Sequence, residues 1–273
     1  MVSQSNLVYI ADTLAITFPE YAKRLIRAVK AAGKEIGTIP NTKDVWCEDY
    51  MPIKNAKGDL VLFRYFPSYL RFKKYQNKIT DAGPICNQLG IAYTRSDIII
   101  DGGNVMLHKN RAIVTERIFK DNEGTYAKNE LIIALSQALQ AELIIIPTQP
   151  YDFTGHSDGM VRWLNDDTVL INAYPQEENQ RFVRKFKGVL AEANLNFIEV
   201  PTSMYSNPSK EDAAGNYLNY HEMDDCLFLP IYNRKADDEV IALFTQLFPG
   251  KRIIPVLSRD VAARGGMINC TTW

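Results

Sequence analysis

Apolar positions recur at helical spacing across residues 18–32. Tyr21, Leu25, Ala28, Val29 and Ala32 share one face, and Lys23, Arg24, Arg27 and Lys30 lie opposite. Residues 128–141 carry a fuller apolar set and read as a more buried helix. Residues 175–193 and 237–248 are amphipathic, and 79–89 is a weaker helix broken by Gly83-Pro84. A short β-rich run follows each helix. These runs start at residues 35, 91, 142, 196 and 252, a period of about 54 residues that fits the chain about five times.

The order inside each period also recurs: a strand, a loop rich in Gly, Asp or Asn, a strand pair such as 104–116 or 160–172, then a helix. The loops hold Cys47-Glu-Asp49, Asp101-Gly-Gly-Asn104, Thr154-Gly-His-Ser-Asp158, Ala214-Gly-Asn216 and Arg264-Gly-Gly-Met-Ile-Asn-Cys270. The last period stops just past Cys270. The strand at 7–10 and the helix at 18–32 supply its missing part, which predicts a ring closed by its own termini and one domain over 1–273. An ordinary doubly wound sheet is the alternative, but that fold alternates single strands with helices and has no place for the strand pairs.

Charge changes the picture little at first. The 273 residues hold 31 Lys and Arg against 32 Asp and Glu, a net charge of −1, so a polyanion such as nucleic acid is not the expected partner. Apolar runs are far too short for a membrane span, and the N-terminus lacks the basic and apolar regions of a leader, so a cytoplasmic protein is expected. Cys47, Cys86, Cys226 and Cys270 show no zinc or disulfide spacing. No cofactor or metal is expected, and a homo-oligomer is left open.

In a ring of equivalent units the loops after the first strands converge, so Asp49, Asp101, His156, Asp158 and Cys270 are expected together, with Glu48 beside Asp49. A deprotonated thiol is the strongest nucleophile among these groups, and His156 is a general acid and base for it. Cys86 and Cys226 read as small buried hydrophobes, as does Cys47 behind Trp46, while His108 and His221 fall in polar strand-pair segments expected to be exposed. Several carboxylates around one thiol suit a planar cation with many N–H donors. A guanidinium meets carboxylates in bidentate fashion, and its central carbon is open to thiolate attack.

Four segments resemble the agmatine deiminase and bacterial peptidylarginine deiminase family. They are Trp46-Cys-Glu-Asp49-Tyr-Met-Pro52, Asp101-Gly-Gly-Asn104, Gly155-His156-Ser-Asp158-Gly-Met-Val-Arg162-Trp163 and Gly265-Gly266-Met-Ile268-Asn-Cys270-Thr-Thr272. They occur in the family's order across nearly the whole chain. The resemblance implies the α/β five-bladed propeller (pentein) fold with pseudo-fivefold symmetry. It implies hydrolytic deimination of a small guanidino substrate, agmatine by preference, giving N-carbamoylputrescine and ammonia through a covalent thiouronium on Cys270. Asp49 and Asp158 then grip the guanidinium, His156 moves protons, Asp101 and Trp46 contact substrate or support the site, and Arg162 holds a carboxylate in place or pairs structurally.

The chain departs from the family at two positions. Asn269 stands where His often precedes the cysteine, and Glu48 stands where agmatine deiminases usually carry Arg. An extra carboxylate at Glu48 favours a dicationic substrate or is a solvated loop charge. The rival within the class is a peptidylarginine deiminase acting on protein arginine. Outside the class stand a non-catalytic pentein-fold binding protein and a metal hydrolase built on His156, Asp158 and Asp101. A place in putrescine synthesis follows only if agmatine is the substrate.

Overall fold

The repeat seen in the sequence appears as five small sheets. The computed structural model describes residues 6–175 and 179–273. Leu7–Ala11 pairs in parallel with Glu35–Ile39 in the first sheet. In the second, Ile53–Lys54 and Leu60–Arg64 form an antiparallel hairpin, and Thr94–Ile99 joins Leu60–Arg64 in parallel. The third repeats this with Met106–His108, Arg111–Thr115 and Glu142–Ile146, and the fifth with His221–Glu222, Cys226–Ile231 and Arg252–Leu257. The fourth has the matching strand order Asn196–Val200, Thr168–Asn172, Val161–Trp163. A helix precedes each final strand, because a parallel partner must be reached by a crossover.

Four of the five final strands begin at the residue that the periodicity marks. The second begins at Thr94 rather than Ile91. Gly90 takes the left-handed conformation at the end of Ala82–Leu89, and Ile91 N–H donates back to Cys86 O, so the chain is still leaving the helix at residue 91. That helix is also where Gly83-Pro84 fails as a breaker. Both residues lie in its first turn, where Pro removes an N–H that has no helical acceptor anyway, and the Asp81 carboxylate accepts from Gly83 N–H. Residues 128–141 form a helix over Lys128–Leu139, but it is less buried than expected: Leu131, Leu135 and Leu139 make one inward stripe while Ile133 is exposed. The helix expected at 175–193 runs over Gln180–Glu192, and its residues 176–178 lie outside the described residues. Pro19–Ala31 and Ala236–Leu247 form as expected to within a residue or two.

By packing the chain forms two compact units: residues 6–47 with 170–175 and 199–273, and residues 48–169 with 179–198. In the first, Tyr21, Leu25 and Val29 of Pro19–Ala31 pack with Val8, Phe228, Val256 and Ile268. Each such fully buried side chain contributes about 1.5–3 kcal/mol of hydrophobic free energy. Backbone bonds tie the two chain ends here: Tyr9 N–H donates to Trp273 O at 2.7 Å and Trp273 N–H to Tyr9 O at 2.9 Å. In the second unit, Leu131, Leu135 and Leu139 pack on Val61, Ile98, Ala112 and Val114. Among the described residues no helix is long and apolar enough to cross a membrane.

Candidate active site

Within the unit of residues 48–169 and 179–198 two loops are locked together by their backbones. After Thr94–Ile99 the chain makes a tight turn at Gly102–Asn104, and Asp158 N–H donates to Gly103 O at 3.0 Å. Gly103 N–H donates to Asp49 Oδ1 at 3.2 Å. Asn104 Oδ1 accepts from Thr115 N–H, and the Thr115 hydroxyl donates to Gly155 O. The glycines are required by close approach rather than by a left-handed backbone. A Cβ on Gly102 would lie 1.9 Å from Glu48 O. One on Gly103 would lie 2.7 Å from His156 Nδ1, 2.9 Å from Asp49 Oδ1 and 3.3 Å from Asp158 Oδ2.

The polar groups so gathered are deeply buried. Asp49, Asp101, His156 and Asp158 each expose 7% or less, while Glu48 keeps part of its surface open. His156 Nε2 lies 2.8 Å from Asp101 Oδ2, and Nδ1 lies 3.6 Å from Asp49 Oδ1, an ion-pair distance. Asp101 Oδ1 has no hydrogen-bond partner among the described residues, an open acceptor inside a buried cluster.

Burial and crowding decide the protonation of these groups. Burial disfavours the His156 cation, but Asp49, the hydrogen bond to Asp101 and the Asp158 charge outweigh it and raise its pKa to about 10. Asp49 is pushed well above the usual carboxylate range, first by burial and then by Asp101, Asp158 and Glu48, against the pull of His156. Glu48 rises to about 8, through burial and then Asp158, with Arg162 and His156 opposing. The cluster is therefore short of positive charge: Asp49 and Glu48 are both raised by burial and by neighbouring carboxylates, and an added cation would oppose those shifts.

Trp46 and Cys270 belong to the other unit. Cys270 sits in the short helix Ile268–Thr271 and exposes 8%. Its Sγ–H and its N–H each point at Asn219 Oδ1 from 3.4 Å. Thr271 shares a 2.8 Å hydroxyl bond with Tyr21, and Thr272 Oγ1 lies 2.9 Å from His221 Nδ1. The Trp46 ring presses on Gly266, where a Cβ would fall 2.2 Å from Cζ3. The remaining cysteines are buried packing groups, and burial pushes the Cys86 thiol up to about 11. His108 and His221 are half-buried rather than exposed: His108 bonds Asp166 and stacks on Trp163.

Two contacts escaped the sequence. Tyr69 donates its hydroxyl to Asp101 Oδ2 at 2.7 Å, and Asn219 holds Cys270. No motif marks Tyr69. Asn219 lies just beyond the Ala214-Gly-Asn216 loop, and that loop's place in the repeat was the available signal. Among the described residues no group of three or more His, Cys, Asp and Glu is disposed to hold a metal ion.

The profile of the Porphyromonas-type peptidyl-arginine deiminase family matches residues 10–273. The chain belongs to that family. A Mycoplasma mycoides protein provisionally named agmatine deiminase is 22% identical over 268 residues, covering 84% of this chain and 74% of its own. The substrate-bound C315S agmatine deiminase of C. jejuni superposes with a TM-score of 0.79 at 15% identity, covering 99% of this chain and 93% of that one. The agmatine deiminase of Enterococcus faecalis gives 0.74 at 16% identity, covering 100% and 93%. This deiminase-family chain thus has the five-bladed α/β propeller (pentein) fold, in agreement with the five sheets and the sequence period.

Proposed function

We propose that the protein hydrolyses the guanidinium group of a small cationic substrate, agmatine first, to a ureido product and ammonia. The observation that carries this is the buried Asp49–Asp101–Asp158–His156 cluster, whose carboxylates are too many for the positive charge at hand. A planar cation relieves that deficit and satisfies open acceptors such as Asp101 Oδ1. Family membership and the agmatine deiminases among its relatives support the same chemistry.

In the proposed sequence Asp49 and Asp158 hold the guanidinium nitrogens, and Trp46 borders the substrate. The Cys270 thiolate adds to the guanidinium carbon, forming a C–S bond. A C–N bond then breaks, and His156 gives its proton to the departing ammonia. The thiouronium left on Cys270 is attacked by water, whose proton passes to His156. The C–S bond breaks, the thiolate returns, and the ureido product leaves after losing the second water proton to solvent, where the released ammonia takes it up as ammonium. Agmatine plus water thus gives N-carbamoylputrescine plus ammonia, with no metal or organic cofactor called upon. Asp101 keeps the His156 ring oriented, as a carboxylate does for an imidazole base.

The family description favours protein arginine as the second substrate to test. Purified protein is incubated with agmatine, free arginine and an arginine peptide, and ammonia and ureido product are measured. Turnover of agmatine ahead of the others, abolished by Cys270→Ala and indifferent to chelator, is expected. Failure to turn over any guanidine removes the proposal, and preference for the peptide transfers it to protein arginine.

A further inference from the structure

Residues 65–80 form a strap between Leu60–Arg64 and the helix Ala82–Leu89. Its short turn Ser68–Leu70 points Tyr69 inward, onto the carboxylate that bonds His156. The seat of this tyrosine is built on three sides. Its ring meets Phe153 edge-on at 5.6 Å and lies under the Arg117 guanidinium at 5.5 Å. Arg117 in turn donates to Phe153 O at 2.7 Å. The backbone beside it is pinned as well: Ser68 N–H donates to Asp121 Oδ1 at 2.7 Å, and Arg71 donates to Asp121 O. The hydroxyl ends on Asp101 Oδ2, the same oxygen that His156 Nε2–H reaches from 2.8 Å, while Oδ1 of that carboxylate has no hydrogen-bond partner among the described residues.

We propose that Tyr69 is a positioning residue of the deimination reaction: by sharing Asp101 Oδ2 with His156 it tempers the His156–Asp101 bond, so that the imidazole can release as well as take a proton. The inference rests on the proposed function only for its catalytic consequence. A carboxylate oxygen that accepts two bonds gives each donor less than it would give one alone. A lone His156–Asp101 pair would hold the imidazolium more tightly and leave little neutral base for the water step. The Tyr69 hydroxyl is itself held as a neutral donor, pushed well above its usual range by burial and by Asp101, Tyr65 and Asp49. The other charges bearing on His156 are Asp49 and Asp158, with Glu48 interacting with His156 and Asp158, and Tyr69→Phe leaves these side chains and the Arg117 guanidinium over its ring unaltered.

The test is Tyr69→Phe, which keeps the ring against Phe153 and Arg117 and removes one oxygen. Two readouts are taken on the full chain: the low-field proton resonance of His156 Nε2–H, assigned with a His156→Gln control, and the dependence of kcat on pH. The resonance is expected to move further downfield. The acid limb of kcat is expected to move to higher pH, with kcat at neutral pH falling about tenfold and KM changing little. An unmoved resonance overturns the inference whatever happens to turnover. So does a uniform loss of kcat with an unshifted limb, since a merely structural tyrosine would give that. Absence of turnover in the unaltered protein instead removes the proposed function, and the resonance still decides the role of Tyr69.

Discussion

Gly103→Ala puts a methyl group in place of a hydrogen at the centre of the acidic cluster. The new Cβ would lie 2.7 Å from His156 Nδ1, 2.9 Å from Asp49 Oδ1 and 3.3 Å from Asp158 Oδ2. Ordinary contact at a Cβ is at least ~3.4 Å, so the imidazole and the Asp49 carboxylate must each retreat by roughly half an ångström. They have little room to do so. His156 is fixed through Asp101, Asp49 accepts from Gly103 N–H itself, and Asp158 N–H is bonded to Gly103 O. Overpacking of this kind costs about 1–3 kcal/mol of stability. Displacement of catalytic groups approaching 1 Å costs about 10²-fold in rate. The expected result is a folded protein with a lowered Tm and kcat/KM on agmatine reduced about 100-fold. Gly188→Ala serves as the control. Gly188 lies within the helix Gln180–Glu192 with open space around a Cβ, so alanine there should raise stability by about 0.5–1 kcal/mol and leave kcat/KM alone. A Gly103→Ala protein with undiminished kcat/KM would refute the claim that these three side chains are set by the glycine backbone.

Stability should fall with rising pH in the substrate-free protein. Glu48, raised from an unfolded value of 4.5 to about 8, binds its proton more tightly when folded, so its contribution is present below pH 4.5 and lost by pH 8. His156, raised from 6.5 to about 10, acts with the same sign, its contribution being whole below pH 6.5 and lost as pH rises through 10. Calorimetry across pH 5–9 should show a declining Tm, flattened below pH 8 by Glu48→Gln; a Tm that climbs over that window would contradict the raised values of Glu48 and His156. Gly266→Ala places a Cβ 2.2–2.8 Å from three atoms of the rigid Trp46 ring, so about 1–3 kcal/mol of stability should be lost in chemical denaturation, and an unchanged midpoint would show that the ring can step aside.

Much of this molecule is legible along the chain. Final strands begin at residues 35, 142, 196 and 252, where the periodicity places them, because each repeat must present one apolar run to a core that its neighbours share. The glycine pair at 102–103 lies in a loop that the repeat marks, and the structure supplies the contacts that exclude any side chain there. Local chemistry was harder to read. Gly83-Pro84 looks like a breaker until Asp81 is seen capping the turn that contains it, and Ile91 looks like a strand start until its N–H is seen closing the preceding helix.

The sequence by itself determined the five-part repeat, the fold class and the identities of the carboxylates, the imidazole and the thiol, since periodicity and residue type are local properties. Only the tertiary structure decided which groups bond to which. Tyr69 and Asp101 are 32 residues apart, and Asn219 and Cys270 are 51 apart. No pattern along the chain encodes a partner chosen by how distant segments pack. The same holds for charge. Whether Glu48 or His156 carries a proton depends on burial and on neighbours within a few ångströms, and both come into being only when the chain has folded.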